Sequence, residues 1–336
     1  MAGTLVKDIT TKKEDYADSL ALVDARNYPF TSAVQKSRAA TAPRYDWTGD
    51  TYRATSDFSG VVDGTDATTF TDEFANRGKF SNYIQIFRQT PKVSTLTQDA
   101  SDMPGAQNPI AAATAKSLVE MKRAMEQCFL SSQDAQVDNG AVPYLTAGLG
   151  LWISTAGPTV AICPSNQLPT SAQVITTATA SLDEDQDLQG ILKSIFDAVG
   201  IVTENYMLLA GSILRRRVTS MTRISTTSGS TNSANRVRTF TQTGTENSVS
   251  SSTTMFDGDF GSFSVVASSW IGMTSGSATV DTDRGYLLDM SKIHLRYNQR
   301  PTVKELPDLG GGPRRLIEAI AGLQVDSPKG MGKFQP

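Results

Sequence analysis

The chain has 336 residues, and at about 150 residues per domain this length predicts two domains, or one large domain with extensions. Charged residues make up only 19% of the chain and Ser plus Thr about a fifth, which is typical of β-rich surfaces and argues against a compact helical enzyme. With 31 basic and 34 acidic residues the formal charge is -3, which excludes tight electrostatic wrapping of nucleic acid over the whole surface.

The two cysteines, Cys128 and Cys163, are too few for a disulfide framework and lack the spacing of a structural zinc site. They indicate a reducing, cytosol-like compartment. The first 20 residues are polar where a signal peptide needs an apolar core, and no run of about 18 apolar residues occurs. We therefore expect a soluble protein that is made inside a cell and has no membrane partner.

Residues 1–43 predict an extended arm with one short helix, and Pro29 discourages that helix from passing through Tyr28. Residues 44–90 are rich in aromatic residues and partly alternating, which predicts a long two-stranded excursion around a Gly/Asp-rich stretch at 57–66. Its larger apolar residues are Tyr45, Trp47, Phe80, Ile84 and Ile86. A lone two-stranded ribbon is marginally stable in water, so another element must cover it, and the nearby sequence offers no cover.

The clearest helix has Asn108 as its candidate N-cap and Pro109 at its first position, and we expect it to end near Ser132. Its apolar face recurs at steps of three and four residues: Ile110, Thr114, Ser117, Leu118, Met121, Met125 and Phe129. A second helix is predicted over 187–199, with Gly200 as its C-terminal cap. The predicted apolar face of this helix comprises Leu188, Ile191, Leu192, Ile195, Phe196 and Val199.

The rest of the chain mixes short strands with loops. Residues 143–182 predict loops and short strands, the apolar run 206–210 predicts a buried strand, and 212–223 predicts a short helix. The Ser/Thr/Asn/Gly-rich stretch 225–254 predicts a mobile loop or hairpin insertion. Strand character returns in FGSFSVVASSW and RGYLLDMSKIHLRY. The last strand alternates cleanly, so that one face carries Ile317, Ala319, Ala321, Leu323 and Val325.

Residue types that usually carry catalysis are scarce. The single histidine, His294, lies on a predicted strand with no nucleophile or carboxylate in the local pattern, which favours a structural role. Serine-triad and multi-histidine metal sites would both depend on this residue, so both are disfavoured. Cys128 lies beside the apolar face of the long helix and is expected to pack as a small hydrophobic residue. We predict no catalytic, cofactor-binding or metal site, and no cofactor.

Three local runs each allow a functional and a structural interpretation. The acidic run 183–187 could hold a metal, but it also fits the favourable negative charge before a helix. The glycine run 310–312 lacks the features of a phosphate-binding loop and predicts a turn before the final strand. Arg215, Arg216 and Arg217 suit a nucleic-acid patch, a solvated face or a subunit contact, and composition does not separate these.

Charge is distributed unevenly along the chain. The excursion carries these acids: Asp46, Asp50, Asp57, Asp63, Asp66, Asp72 and Glu73, against the bases Arg53, Arg77 and Lys79. The C-terminal segment from residue 292 carries these bases: Lys292, Arg296, Arg300, Lys304, Arg314, Arg315, Lys329 and Lys333. An acidic excursion and a basic distal segment could complement each other between neighbouring copies. Chance segregation of solvated charges is the alternative.

The order of elements resembles the major capsid proteins of tailed bacteriophages with the Hong Kong 97 fold. The segments that carry the resemblance are NYPFTSAVQKSRA, PRYDWTGD, GVVDGTDATTF, NPIAAATAKSLVEMKRAMEQCFL, FGSFSVVASSW and YLLDMSKIHLRY, which together span most of the chain. The resemblance implies an α+β fold made of an N-terminal arm, an extended β-ribbon loop, a peripheral domain with a long spine helix, and an axial domain.

On this resemblance, 1–43 is the arm, 44–92 the extended loop, 93–142 with 291–336 the peripheral domain, and 143–290 the axial domain. The spine helix would occupy about 108–132. The ribbon would be covered by a neighbouring subunit. Copies of the chain would form pentamers and hexamers of an icosahedral head shell around double-stranded DNA, which is contacted weakly. The protein would then be a virion component made in the host bacterial cytoplasm.

Several implications of the resemblance stay open. Scaffolding, portal and decoration proteins are possible partners, and a separate scaffolding protein or processing would explain the lack of a long extension before the arm. Lys79 is the one lysine in the excursion that could form the Lys-Asn cross-link of some relatives, although a solvated lysine is the simpler interpretation. A tail or decoration protein is the alternative structural function. An enzyme with a site within 183–217 is the third hypothesis, and the lack of histidines and nucleotide motifs disfavours it.

Overall fold

A computed structural model of the chain describes residues 28–37, 39–52, 60–68, 70, 72, 74–99, 108–200, 206–221, 255–271 and 282–336. The helices are α1 (Pro29–Ala33), α2 (Thr95–Asp99), α3 (Pro109–Leu130), α4 (Leu149–Trp152), α5 (Gln189–Val199) and α6 (Ser212–Met221). The strands are β1 (Gln35–Lys36), β2 (Arg44–Gly49), β3 (Gly78–Tyr83), β4 (Gln85–Gln89), β5 (Val174–Ile175), β6 (Tyr206–Ala210), β7 (Met255–Gly258), β8 (Gly261–Ala267), β9 (Gly285–Asp289), β10 (Ile293–Leu306), β11 (Arg314–Val325) and β12 (Gly332–Phe334). Helices and sheets are mixed, as the sequence predicts.

Within the described ranges, the chain divides into two units. The first unit takes 88–121 and 302–317, and the second takes 28–87, 122–301 and 318–336, with the gaps given above. The predicted polar insertion at 225–254 and most of the predicted arm, residues 1–27, lie outside the described residues.

In the first unit, three glycines connect β10 to β11. Gly310, Gly311 and Gly312 have φ angles of 91°, 93° and 106°, a conformation that residues with a Cβ rarely adopt. A Cβ at Gly312 would overlap the Val93 carbonyl, and the Val93 N–H donates to the Pro313 carbonyl at 3.1 Å. The predicted turn before the final strand is therefore confirmed, and backbone geometry explains the glycines.

The long helix α3 begins where the sequence predicts. Its first turn is capped by Asn108, whose Oδ1 accepts the N–H of Ala111 at 3.3 Å. At the other end the Ser131 hydroxyl donates to the Cys128 carbonyl, so the helix ends at Leu130, two residues before the predicted boundary. Five of the seven predicted face residues are buried: Ile110, Thr114, Met121, Met125 and Phe129.

The second unit contains a six-stranded sheet in the order β5-β12-β9-β6-β8-β7. All five residues of β6 are buried, because β6 lies between β8, which is parallel to it, and β9, which is antiparallel. The core around this sheet includes Leu188, Ile191, Leu192, Ile195, Leu208, Leu214, Phe263 and Leu287. The predicted buried strand and the helix after it are both confirmed.

The prediction for the helix before β6 needs two corrections. Its first predicted residue, Asp187, belongs to a π-turn over Glu184–Leu188, and α5 itself begins at Gln189. Phe196 and Val199 are half-exposed, because Phe196 lies at the edge of the apolar stripe and Val199 is the last residue of the helix. The predicted cap is confirmed, since Gly200 has a φ of 90°.

The four-stranded sheet has the order β1-β10-β11-β4. In β11 the predicted face is confirmed in full, because its alternate residues are completely buried: Ile317, Ala319, Ala321, Leu323 and Val325. Strand β1 pairs in parallel with β10, placing Gln35 opposite His294. This pairing ties the described part of the predicted arm to the second unit, and α1 confirms the predicted short helix that starts at Pro29.

Candidate subunit interface

The predicted two-stranded excursion is present and is called the ribbon here, meaning residues 44–83. Strands β2 and β3 pair antiparallel from Arg44 opposite Tyr83 to Gly49 opposite Gly78. The described residues between 60 and 72, which connect the two strands, are called the tip. The alternating pattern of the sequence therefore predicted both the strands and their pairing.

The base of the ribbon is covered by its own chain, in agreement with the expectation that another element must cover it; the covering residue lies far from the ribbon in sequence. Trp47 stacks on Phe80 with ring centroids 5.6 Å apart, and Trp152 of α4 also contacts it, at 5.7 Å. Phe80 and Trp152 are completely buried. Ile86, by contrast, lies beyond the ribbon on β4 and is 51% exposed. The sequence missed Trp152 because α4 is a four-residue helix in a stretch without periodicity.

Tyr45 fixes the ribbon base to the four-stranded sheet. Its hydroxyl donates to the Leu323 carbonyl at 2.7 Å, and Arg296 lies over its ring at 5.2 Å. Burial raises the pKa of the Tyr45 hydroxyl well above its usual range, so the hydroxyl remains a donor. This approach requires Gly322, where a Cβ would lie 2.5 Å from the Tyr45 hydroxyl oxygen.

The ribbon beyond its base exposes large apolar side chains. Val61 and Val62 in the tip are 80% and 78% exposed, and Phe70 is 87% exposed. Tyr52 and Phe74, on either side of the tip, are also exposed. A run of exposed apolar residues on a projecting hairpin is typical of a surface that another chain covers.

The acidic side chains of the ribbon divide into two groups. Near the base, Asp46 pairs with Lys79 at 2.7 Å, and Asp50 pairs with Arg77 at 3.3 Å. In the tip, Asp63 and Asp66 have no ion-pair partner among the residues that the structure describes. The predicted complement between copies stays a prediction, and Asp63 and Asp66 in the tip are its candidates without a described ion-pair partner.

Several basic side chains of the C-terminal segment likewise form hydrogen bonds or ion pairs within their own chain. Arg296 donates to the Gln324 side chain, and Arg315 pairs with Glu305 at 3.1 Å. Lys333 is buried in β12 and donates to the Gly150 carbonyl at 3.0 Å. These three cations serve the fold of their own subunit and are not available to a neighbour.

Lys333 predicts a pH dependence of stability. Burial, with a smaller contribution from Arg284, lowers the pKa of Lys333 from 10.5 to about 8. Between these values the unfolded chain binds more protons than the folded one, so stability rises with pH across this window. We expect the free energy of unfolding of the wild type, relative to that of Lys333→Met, to increase from pH 8 to pH 10 in urea titrations of the unassembled subunit. A constant difference would contradict this assignment.

His294 has a carboxylate partner that the sequence did not reveal. Its Nε2 lies 3.2 Å from Oδ2 of Asp326, the residue that directly follows β11. Asp326 also accepts a hydrogen bond from Gln324, and its N–H donates to the Lys292 carbonyl. The pair lacks a nucleophile and links two strands, which supports the structural interpretation of His294.

The cysteines show no sign of activation. Both are free, and burial raises the pKa of each thiol to about 12, with Cys128 also donating to Gln85. Within the described part of the chain, no group of three or more His, Cys, Asp or Glu side chains could hold a metal. No helix in that part combines the length and apolar character that a membrane span needs.

The acidic run caps a helix. Asp183 accepts the N–H of Asp185 at 2.7 Å, and Asp187 accepts the N–H of Asp183 and the hydroxyl of Thr177. These carboxylates satisfy backbone donors at the start of the π-turn, as the electrostatic interpretation predicts.

The arginine run is mainly internal. Arg215 donates to the Val265 carbonyl at 2.6 Å and Arg217 to the Leu182 carbonyl at 2.7 Å, while Arg216 is exposed. Two of the three guanidinium groups therefore hold α6 against its neighbours, which argues against a continuous nucleic-acid patch.

A buried carboxylate that the sequence reasoning missed holds the short helix α1. Glu126 of α3 accepts the backbone N–H of Phe30 at 2.8 Å and of Thr31 at 2.7 Å. Burial raises the pKa of Glu126, and these two hydrogen bonds partly offset that rise. Phe30 is completely buried. Helix α1 is therefore held both by the Glu126 carboxylate and by the packing of the Phe30 side chain.

Comparisons with known proteins agree on one class. The model of a family described as SU10 major capsid protein matches residues 3–336. A structure from Mycobacterium phage Adephagia is similar to 100% of this chain over 98% of its own, at 14% identity and a TM-score of 0.61. A capsid structure of the cyanophage P-SCSP1u is similar over 99% and 95%, at 11% identity and a TM-score of 0.60. No curated protein matches. At these identities the structural likeness shows the fold, which is that of phage capsid chains.

Proposed function

Since the chain belongs to the SU10 major capsid protein family, and is thus a structural virion protein of a phage, we propose that its copies form pentamers and hexamers of an icosahedral head shell enclosing double-stranded DNA. This family is a structural family and not an enzyme family, which agrees with the sequence reasoning. Membership also favours the capsid over the alternative of a tail or decoration protein.

The observation that carries the assembly proposal is the exposed tip of the ribbon. Val61, Val62 and Phe70 would each remove apolar area from water if a neighbouring copy covered them, at about 25 cal/mol per Å². The base of the ribbon is already held by Tyr45 and Phe80 within its own chain. The projecting part is therefore presented on a fixed base, which limits the ordering cost of docking.

The proposed assignment of residue ranges to domains follows the family resemblance. Residues 1–43 act as the arm, 44–92 as the extended loop that lies on a neighbour, 93–142 with 291–336 as the peripheral domain, and 143–290 as the axial domain at the capsomer centre. The helix α3 is the spine of the peripheral domain under this proposal. The buried side chains on one face of α3 and on one face of β11 support their assignment to a folded domain.

The chain's low net charge supports a shell that encloses DNA with weak contact. The subunit would be made in the host bacterial cytoplasm and end in the virion. Scaffolding, portal and decoration proteins are further partners under this proposal.

Negative-stain electron microscopy and sedimentation of the purified protein test the proposal directly. We expect closed particles of uniform diameter containing both five-fold and six-fold capsomers. Small oligomers alone, across a range of salt and protein concentration and with added scaffolding protein, would contradict it.

We predict that Lys79 forms no covalent cross-link. Its ammonium group pairs with Asp46 at 2.7 Å within its own ribbon, and a cross-link would require it to leave this pair for a positioned partner. Denaturing gels and intact-mass measurements of assembled particles should therefore show only the monomer. A ladder of multimers that disappears in Lys79→Met would contradict the prediction.

A further inference from the structure

A basic cleft lies between the described part of the arm, helix α3 and strand β10. It has a volume of about 230 Å³, and three cationic side chains line it: Lys36 from β1, Lys122 from α3 and Arg300 from β10. Among the residues that the structure describes, no carboxylate lines it. Three separate elements thus bring positive charge to one concave surface.

No described side chain neutralises the positive charge of the cleft. None of Lys36, Lys122 and Arg300 has an ion-pair partner among the residues described. Lys122 instead lies over the Tyr28 ring at 5.4 Å. Glu126, on the same helix, directs its carboxylate to the N–H groups of Phe30 and Thr31. The cleft therefore retains its charge for an anionic ligand.

The walls of the cleft are apolar as well as basic. Met125 and Pro301 line it together with the rings of Tyr28 and Tyr297. Arg300 lies close enough to Tyr297 to offset part of the rise that burial causes in the pKa of that hydroxyl. A ligand that fits this lining combines a negative charge with apolar side chains.

The ribbon tip has this combination of properties. The sequence of residues 57–72, DFSGVVDGTDATTFTD, which includes the tip, contains four aspartates and no basic residue. Val61 and Val62 stand immediately before Asp63, and all three side chains are exposed. Aliphatic side chains followed by a carboxylate match apolar walls beside unpaired cations.

We infer that the cleft lined by Lys36, Lys122 and Arg300 receives the ribbon tip of a second copy of this chain, with Asp63 and Asp66 facing the cations and Val61 and Val62 facing the apolar wall. The inference rests on the proposed shell assembly and names the site on the neighbour that the tip occupies. A DNA phosphate is the competing ligand. It fits the cations but offers nothing to Met125 and Pro301, so the lining favours the tip.

Charge reversal with rescue tests the inference. The cleft variant Lys122→Glu with Arg300→Glu and the tip variant Asp63→Lys with Asp66→Lys should each lower the yield of shells about ten-fold or more, because like charges then face each other. Combining the four substitutions should restore most of the yield, since the pairs are re-formed with opposite sign. Sedimentation velocity and negative-stain microscopy measure the yield, and Lys304→Glu, an exposed lysine outside the cleft, is the matched control.

Each outcome has a defined meaning. Normal yield from the cleft variant, or no recovery in the combined variant, overturns the docking site while leaving shell assembly intact. A wild type that forms no shells removes the proposed function and this inference with it. Fluorescence anisotropy with a short DNA duplex covers the competing ligand: if the cleft variant loses DNA binding but assembles normally, the ligand is phosphate and the inference is wrong. Recovery also shows that the substitutions did not act by unfolding the subunit.

Discussion

We expect deletion of residues 57–72 to abolish closed shells and to leave the subunit folded. The deletion removes Val61, Val62 and Phe70, whose side chains are exposed and lack cover from the described part of their own chain. Burying each of them on a neighbour would contribute about 1.5–3 kcal/mol, so several kcal/mol per subunit contact is lost. Since a shell repeats this contact in every subunit, we expect its yield to fall below detection.

The subunit survives this deletion because the anchoring contacts lie elsewhere. Strands β2 and β3 retain their full register, and residues 50–56 and 73–77 remain to connect them, more than a hairpin needs. Thermal unfolding of the deleted subunit should therefore match that of unassembled wild type within a few degrees. Sedimentation and electron microscopy report on shells in the same samples.

A variant of unchanged length separates the effect of the apolar side chains from the effect of shortening the ribbon. Val61→Ser, Val62→Ser and Phe70→Ser together keep every residue of the tip but remove its apolar side chains. We expect this variant also to lose shells, although its tip still extends as far as that of the wild type. Normal particles from either variant would show that the tip contributes nothing to assembly.

The features that the sequence predicted well are set by local rules. The alternation of β11 and the capping of α3 by Asn108 need only neighbouring residues, and both are present in the structure. The turn at residues 310–312 has positive φ angles at three adjacent residues, and all three are glycines. Each of these signals has a period or a position that can be read along the chain.

The features that the sequence missed depend on residues far apart in the chain. Tyr45 donates to Leu323, 278 residues away, and the His294–Asp326 pair requires β10 and β11 to be neighbours. The cations Lys36, Lys122 and Arg300 come from three elements and form a cleft only after folding. A charge count of the C-terminal segment treats Arg300 and Lys333 alike. It does not reveal that Lys333 is buried and donates a hydrogen bond within its own subunit.

Replacing Trp152 with Ala should destabilise the unassembled subunit by about 3–5 kcal/mol, because it removes a large buried side chain from the aromatic anchor of the ribbon base, meaning Trp47, Phe80 and Trp152. Trp152 is completely buried against Trp47 and Phe80, at centroid distances of 5.7 and 6.4 Å. Its indole N–H has no hydrogen-bond partner among the described residues, so the loss is one of packing and leaves no orphaned polar partner. Urea unfolding of the unassembled subunit measures it.

Two controls identify the anchor as the cause. Phe70→Ala removes an aromatic ring of the same chain at an exposed position and should change the free energy of unfolding by no more than about 0.5 kcal/mol. A double-mutant cycle of Trp152→Ala with Phe80→Ala should show a coupling of about 0.5–3 kcal/mol, as expected for residues in contact. Additive effects would contradict a shared aromatic anchor.

The same experiment distinguishes how the ribbon is held. If a neighbouring subunit alone covered the ribbon base, Trp152→Ala would weaken shells and leave the isolated subunit unchanged. The contacts of Trp152 with Trp47 and Phe80 within one chain instead require the loss to appear before assembly. The base and the tip then have separate energetic roles: the base stabilises the subunit, and the tip is left free to bind the next copy.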